Sequence, residues 1–143
     1  MTAMVSPFRI AQVMGLKRKV HSLGELAAVV SAGLPKSALN ASVARVYPAG
    51  PERTEMLYRI IPQATYKRRR DHLKSEESER TERLARVIAT AEYVWDDRKE
   101  AQRFLTTPHA QLSGRRPIEV ALSELGARRV EELLWKLYYG LAA

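Results

Sequence analysis

The longest amphipathic stretch, Ser75 to Trp95, most constrains how this chain folds. Leu84, Val87, Ile88, Ala91, Val94 and Trp95 fall three or four residues apart, so one helix carries them as a single apolar stripe. A stripe of that length is stable only when other elements cover it, which makes it the expected centre of the core. Ser75 is placed to cap the helix, and Glu76 and Glu77 suit the positive end of its dipole. Arg80, Arg83 and Arg86 stand near Glu76, Glu79 and Glu82, at spacings that give surface pairs worth roughly a few tenths of a kcal/mol each.

The remaining segments are helical too. Ser22-Leu23-Gly24-Glu25 has capping-box spacing and predicts a helix to about Ser31, closed by Gly33. Pro35 opens a second helix carrying Leu39, Val43 and Val46, broken at Pro48-Ala49-Gly50-Pro51. No strand pattern, internal repeat or low-complexity tract competes, so the fold class is all-α. Residues 1–20 are weakly patterned, with a basic knot at Lys17-Arg18-Lys19, and are expected to be only partly ordered.

A chain of 143 residues is long enough for one domain or two very small ones with a buried core. It has no cysteine, which removes disulfides, thiolate metal sites and cysteine nucleophiles together. No apolar run reaches the length of a membrane span, and Met1 to Ile10 lacks signal-peptide character. A soluble, cytoplasmic protein without a membrane partner is the expectation.

Charge is unevenly placed. Residues 1–70 hold twelve Lys/Arg and three Asp/Glu, whereas residues 71–143 hold twelve and thirteen. A one-sided positive field is what neutralising phosphates requires. Within the basic half, Glu52 to Ile60 reads as a helix with Met56, Leu57 and Ile60 inward, Ile61-Pro62 as a tight turn, and Gln63 to Arg70 as a short basic helix. Helix, turn and basic helix form the outline of a helix-turn-helix. On that outline Gln63 and Thr65 face bases, Lys67 and Arg68 reach bases or phosphates, Arg70 meets phosphate, and Tyr66 packs beneath the helix. By itself, a run of four basic residues is more often a solvated face than a recognition surface.

The last part of the chain is three short pieces. Asp97 to Leu105 is helical and stops at Thr106-Thr107-Pro108, because the residue before proline is pushed out of the α region. Leu112-Ser113-Gly114 is turn chemistry, and Pro117 suits the first position of a helix to about Glu124. After Gly126, the residues Val130, Leu133, Leu134, Leu137 and Leu141 recur at helical spacing, and Gly140 reads as a left-handed cap. Leu141-Ala142-Ala143 follows as a small apolar tail, which on these grounds alone reads as a frayed end.

In fixed order, Phe104 to Pro108, Leu112 to Pro117, and a helix beginning at Gly126 and closing at Tyr138-Tyr139-Gly140 resemble the toxin-binding domain of bacterial Xre/MbcA/ParS antitoxins. Phe104 stands where many members carry Trp. The resemblance extends over about Leu23 to Gly140, with Leu26 to Arg70 similar to the Xre-like helix-turn-helix that precedes that domain. It implies a helix-turn-helix domain at 21–74 and a toxin-binding domain at 75–143. It also implies a cognate RES-domain toxin that uses NAD, operator DNA, and a homodimer within a hetero-oligomeric toxin-antitoxin complex. The residues implied in toxin binding are Arg115, Arg116, Lys136, Tyr139, Gly140, Leu141, Ala142 and Ala143, the last of them blocking the toxin's active site.

Catalysis finds no support in the motifs. His21, His72 and His109 lie far apart, none in a metal-binding spacing, and there is no glycine-rich phosphate loop or nucleophile elbow. No catalytic residue, metal or cofactor of its own is therefore assigned. The competing functional reading is a plain dimeric helix-turn-helix repressor without a toxin partner.

Overall fold

The computed structural model describes residues 4–140, which are helical with no strand among them. The α-helices are α1 (Pro7–Val13), α2 (Leu23–Ala32), α3 (Lys36–Val46), α4 (Pro51–Ile60), α5 (Gln63–Arg68), α6 (Ser75–Trp95), α7 (Arg98–Thr106), α8 (Pro117–Val120) and α9 (Glu124–Tyr138), with a single 3-10 turn at Ala110–Leu112 between α7 and α8. Helix α6 is the axis of the molecule: α1, α2 and α3 pack on it from the N-terminal half, α7 and α9 from the C-terminal half. Leu84, Val87, Ile88 and Ala91 are buried as the stripe predicts, together with Ala85 and Ala89. Val94 is half-buried, and Trp95 is 39% exposed at the helix end, where it lies against Phe104.

Several expectations are corrected in detail. The segment expected to be weakly ordered holds α1, whose Ser6 cap accepts from the Arg9 N–H at 3.3 Å and whose Pro7 occupies the first turn. Val5, Ile10, Val13, Met14 and Val20 are in the core; a seven-residue helix is too short to show its period. Ser75 is the first helical residue of α6 and not its cap. The preceding residue, Lys74, takes that place, and the Glu77 carboxylate accepts its N–H at 2.9 Å. Helix α8 stops at Val120, and α9 begins at Glu124 under a Ser123 cap, two residues before Gly126.

Gly126 is thus interior to α9, and its lack of a side chain has a packing cause. A Cβ there would stand 1.8 Å from the Val120 carbonyl oxygen. Glycine lets the end of α8 lie directly on the first turn of α9.

Polar groups also join α6 to α9. Arg86 bridges Glu82 at 3.0 Å on its own helix and Glu131 of α9 at 3.1 Å, and Arg83 Nε lies 3.2 Å from Glu124. Burial raises the carboxyl pKa of both Glu82 and Glu131 against the opposing pull of Arg86. Arg83 and Arg86 therefore spend their charge between helices, not only along one as their spacing suggests. No described helix is long and apolar enough to cross a membrane.

Candidate functional site

Helix α5 has no buried residue of its own and is held from its flanks. Ile61, before it, is fully buried. The Tyr66 hydroxyl donates to the Lys36 carbonyl at 3.1 Å, its ring meets Tyr58 edge-on, and the Lys36 ammonium lies 4.5 Å from the ring centre. Burial, with Tyr58 adding to it, raises the Tyr66 phenol pKa. Tyr66 thus packs beneath the helix, as its sequence position suggests.

The chain leaving α5 is pinned as firmly. Leu73 N–H donates to the Leu34 carbonyl at 2.8 Å and Lys36 N–H to the Asp71 carbonyl at 2.9 Å, a short antiparallel bridge between the loops before α3 and after α5. Leu34 N–H also donates to the buried Ser78 hydroxyl at 2.8 Å. Gly33, at φ +101, has the Leu73 carbonyl oxygen 2.6 Å from where a Cβ would stand, so the bridge requires glycine there.

What these anchors leave outward is Gln63, Lys67, Arg68 and Arg70, all exposed, with Thr65 half-buried. Gln63 and Lys67 are four residues apart and share a face. Arg70 lies beyond the helix, which ends at Arg68 and not at Arg70 as its composition suggests. Among the described residues Lys67, Arg68 and Arg70 make no ion pair, whereas Arg69 donates from Nε and Nη2 to the two Glu77 oxygens at 2.9 and 2.7 Å. Three cations on an anchored but outward helix and its exit form a surface that can neutralise phosphates.

The second candidate set divides in two. Arg115 and Arg116 are exposed ahead of α8. Arg115 pairs its backbone with His109, and Arg116 Nε lies 3.8 Å from Glu119, which also faces Arg59 of α4 at 3.5 Å. Burial raises the Tyr47 phenol pKa, with Arg116 beside it pulling the other way. Lys136, Tyr139 and Gly140 lie toward the C-terminal end of α9, ~15–20 Å along the helix from Gly126. Lys136 pairs with Glu132 at 3.0 Å, and Gly140 takes φ +70 as a left-handed cap. Leu141, Ala142 and Ala143 lie outside the described residues.

Around that end stands a cluster absent from the sequence reading. Tyr93 of α6 meets Trp135 and Tyr138, which in turn meet Tyr139, with ring centres 5.1 to 6.3 Å apart. Tyr138 and Tyr139 are 46% and 60% exposed. The Tyr93 phenol beside it raises the Tyr138 phenol pKa. Exposed, mutually supported aromatic rings are the composition of a protein-binding surface.

No group of three metal-ligating side chains converges among the described residues. The histidines are dispersed: His21 stacks on Phe8, His72 sits in the loop bridge, and His109 accepts the Gln111 N–H through Nδ1 at 3.1 Å.

Comparison with known proteins matches two successive segments of the chain. Residues 25–86 match the model of the antitoxin Xre-like helix-turn-helix domain, and residues 90–140 match that of the antitoxin Xre/MbcA/ParS C-terminal toxin-binding domain. The two matched segments meet within α6. A protein of Pseudomonas putida named antitoxin Xre is 37% identical over 84 residues, covering 57% of this chain and 53% of the relative. The chain therefore spans about half the length of that curated relative. With both matches in order on an all-helical fold, the chain carries an antitoxin Xre-like helix-turn-helix domain followed by an antitoxin Xre/MbcA/ParS C-terminal toxin-binding domain.

Proposed function

We propose that this protein is the antitoxin of a type II toxin-antitoxin pair. In this reading it neutralises a RES-domain, NAD-using toxin, an ADP-ribosyltransferase or NADase, and binds its own operator through Gln63, Thr65, Lys67, Arg68 and Arg70. The observation that carries the reading is the end of α9, where Tyr138 and Tyr139 stay exposed on a helix whose Val130, Leu133 and Leu134 are buried. That helix ends in exposed aromatic rings immediately ahead of the segment 141–143. Occlusion of an active site needs only that this end bury itself and exclude the cofactor, so the antitoxin supplies no catalytic group. Arg115, Arg116 and Lys136 contribute charge at the rim of the same interface. A cytoplasmic homodimer within a larger toxin-antitoxin complex accords with an operator read as two half-sites.

The test is growth and cellular NAD when the product of the adjacent gene is induced with the full chain or with a variant ending at Tyr139. Rescue by the full chain alone, with the shortened variant shown to be folded, supports neutralisation through 140–143. Rescue by both moves the toxin contact elsewhere on the domain. A harmless neighbour that binds neither leaves the plain repressor as the better account.

A further inference from the structure

A cleft of about 520 Å³ opens between α1, the loop that follows it, α3, α6 and α7, away from α5 and bordering the aromatic cluster at Tyr93. Arg9, Lys17, Arg45 and Arg98 line it, and Glu92 is the one carboxylate among its lining residues. Arg45 is fixed in place: its side chain is 18% exposed, Nη1 lies 3.1 Å from Glu92, and Nη2 donates to the Gln12 carbonyl at 3.3 Å. Its own carbonyl accepts from Gln102 at 2.7 Å. Arg9 is steadied over the Tyr93 ring at 5.0 Å.

All three guanidiniums act on one carboxylate. Burial raises the Glu92 pKa while Arg45, Arg98 and Arg9 each pull it down; burial lowers the Arg45 pKa, Glu92 raises it, and Arg98 lowers it again. Glu92 thus offsets one of four cations. Among the described residues Arg9, Lys17 and Arg98 have no carboxylate partner within ion-pair distance. Like charges gathered in a concavity raise the local potential and favour a multiply charged anion. Guanidinium forks suit phosphoryl oxygens.

We propose that this cleft binds a diphosphate group, free or as part of a nucleotide, with Arg9 and Arg98 taking its oxygens and Arg45 held ready by Glu92. A DNA backbone fits less well. Arg45 is nine residues from Lys36, the anchor of Tyr66, so ~14 Å of α3 separates the cleft from α5, and its walls are concave. Its recognition of an anion needs neither the toxin nor the operator reading, and Arg9 joins its wall to Tyr93 of the aromatic cluster.

Isothermal titration calorimetry of the full chain with inorganic diphosphate, ADP and sulfate at fixed ionic strength tests it. Saturable binding of diphosphate or ADP is expected, with sulfate at least about tenfold weaker. Arg9→Ala and Arg98→Ala should each weaken it about tenfold, the worth of one charge-assisted hydrogen bond, whereas Arg128→Ala on α9 should not. Glu92→Gln, which keeps an acceptor for Arg45, should tighten it by removing the one negative charge lining the cleft; should that variant fail to fold, the exposed Arg9 and Arg98 variants still decide. Equal affinity for diphosphate and ADP assigns the site to the phosphoryl chemistry alone, and tighter ADP binding extends it to a nucleotide. Absence of saturable binding, or binding unchanged in both arginine variants, overturns the proposal. So does displacement of diphosphate by a short DNA duplex whose own binding needs Arg9 and Arg98.

Discussion

Arg69 and Glu77 share two hydrogen bonds, of 2.9 and 2.7 Å, that tie the residue after α5 to the first turn of α6. One cation of the basic run is thereby withdrawn from the surface and used to fix the others. Glu77 also takes the Lys74 N–H, and Arg69 beside it holds its carboxyl pKa from 4.5 down to about 2.

The sign of that shift predicts an acid response. A carboxyl whose folded pKa lies below its unfolded value stabilises the fold above the unfolded pKa and loses that contribution as pH falls through the folded one. Stability should therefore decline between pH 4.5 and about 2. Glu77→Gln should be less stable than the parent at neutral pH, and the difference should close by about pH 2. Urea denaturation followed by circular dichroism across that range checks it, and a gap that stayed constant with pH would remove the pair from the account.

Neighbouring arginines should behave differently. Lys67→Ala with Arg68→Ala should weaken operator binding and reduce the salt slope by about two, with the melting temperature unchanged. Arg69→Ala should chiefly lower the melting temperature. Fluorescence anisotropy on a labelled operator at several salt concentrations, beside thermal melts, separates the two behaviours.

Gly126→Ala should cost about 1–3 kcal/mol despite the better helix propensity of alanine, because the added methyl meets the Val120 carbonyl. Urea titration measures it. A neutral or stabilising result would mean that α8 and α9 slide apart freely.

Tyr139→Ala removes an exposed ring, so stability should change by no more than about 0.5 kcal/mol. Association with the toxin should fall at least about tenfold if the ring is a central contact. Co-purification with the toxin and calorimetry of the variant give both numbers.

The helices were legible where their signals were local. The Ser22 hydroxyl accepts the Glu25 N–H at 3.1 Å, and the α6 stripe is buried from Leu84 to Ala91 as its period requires. Signals spanning distant segments were hidden. Nothing in the sequence pairs Arg86 with Glu131, sets Tyr93 beside Tyr138, or gathers Arg9, Arg45 and Arg98 around Glu92; those meetings depend on how helices cross. Gly126 misled for a related reason. Glycine beside a predicted turn reads as a helix boundary, but here it serves an approach between helices. The exposed basic residues of α5 were legible as a set, while the sparing of Arg68 and the engagement of Arg69 depended on where α6 begins.

The placing of α6 has a consequence for how the molecule is inherited and destroyed. Elements of both matched domains are built onto the same twenty-one-residue helix, so there is no seam at which one half could be exchanged for another while leaving a finished surface behind. A protease that severs α6 should unfold both matched domains at once, leaving neither fragment with a finished core.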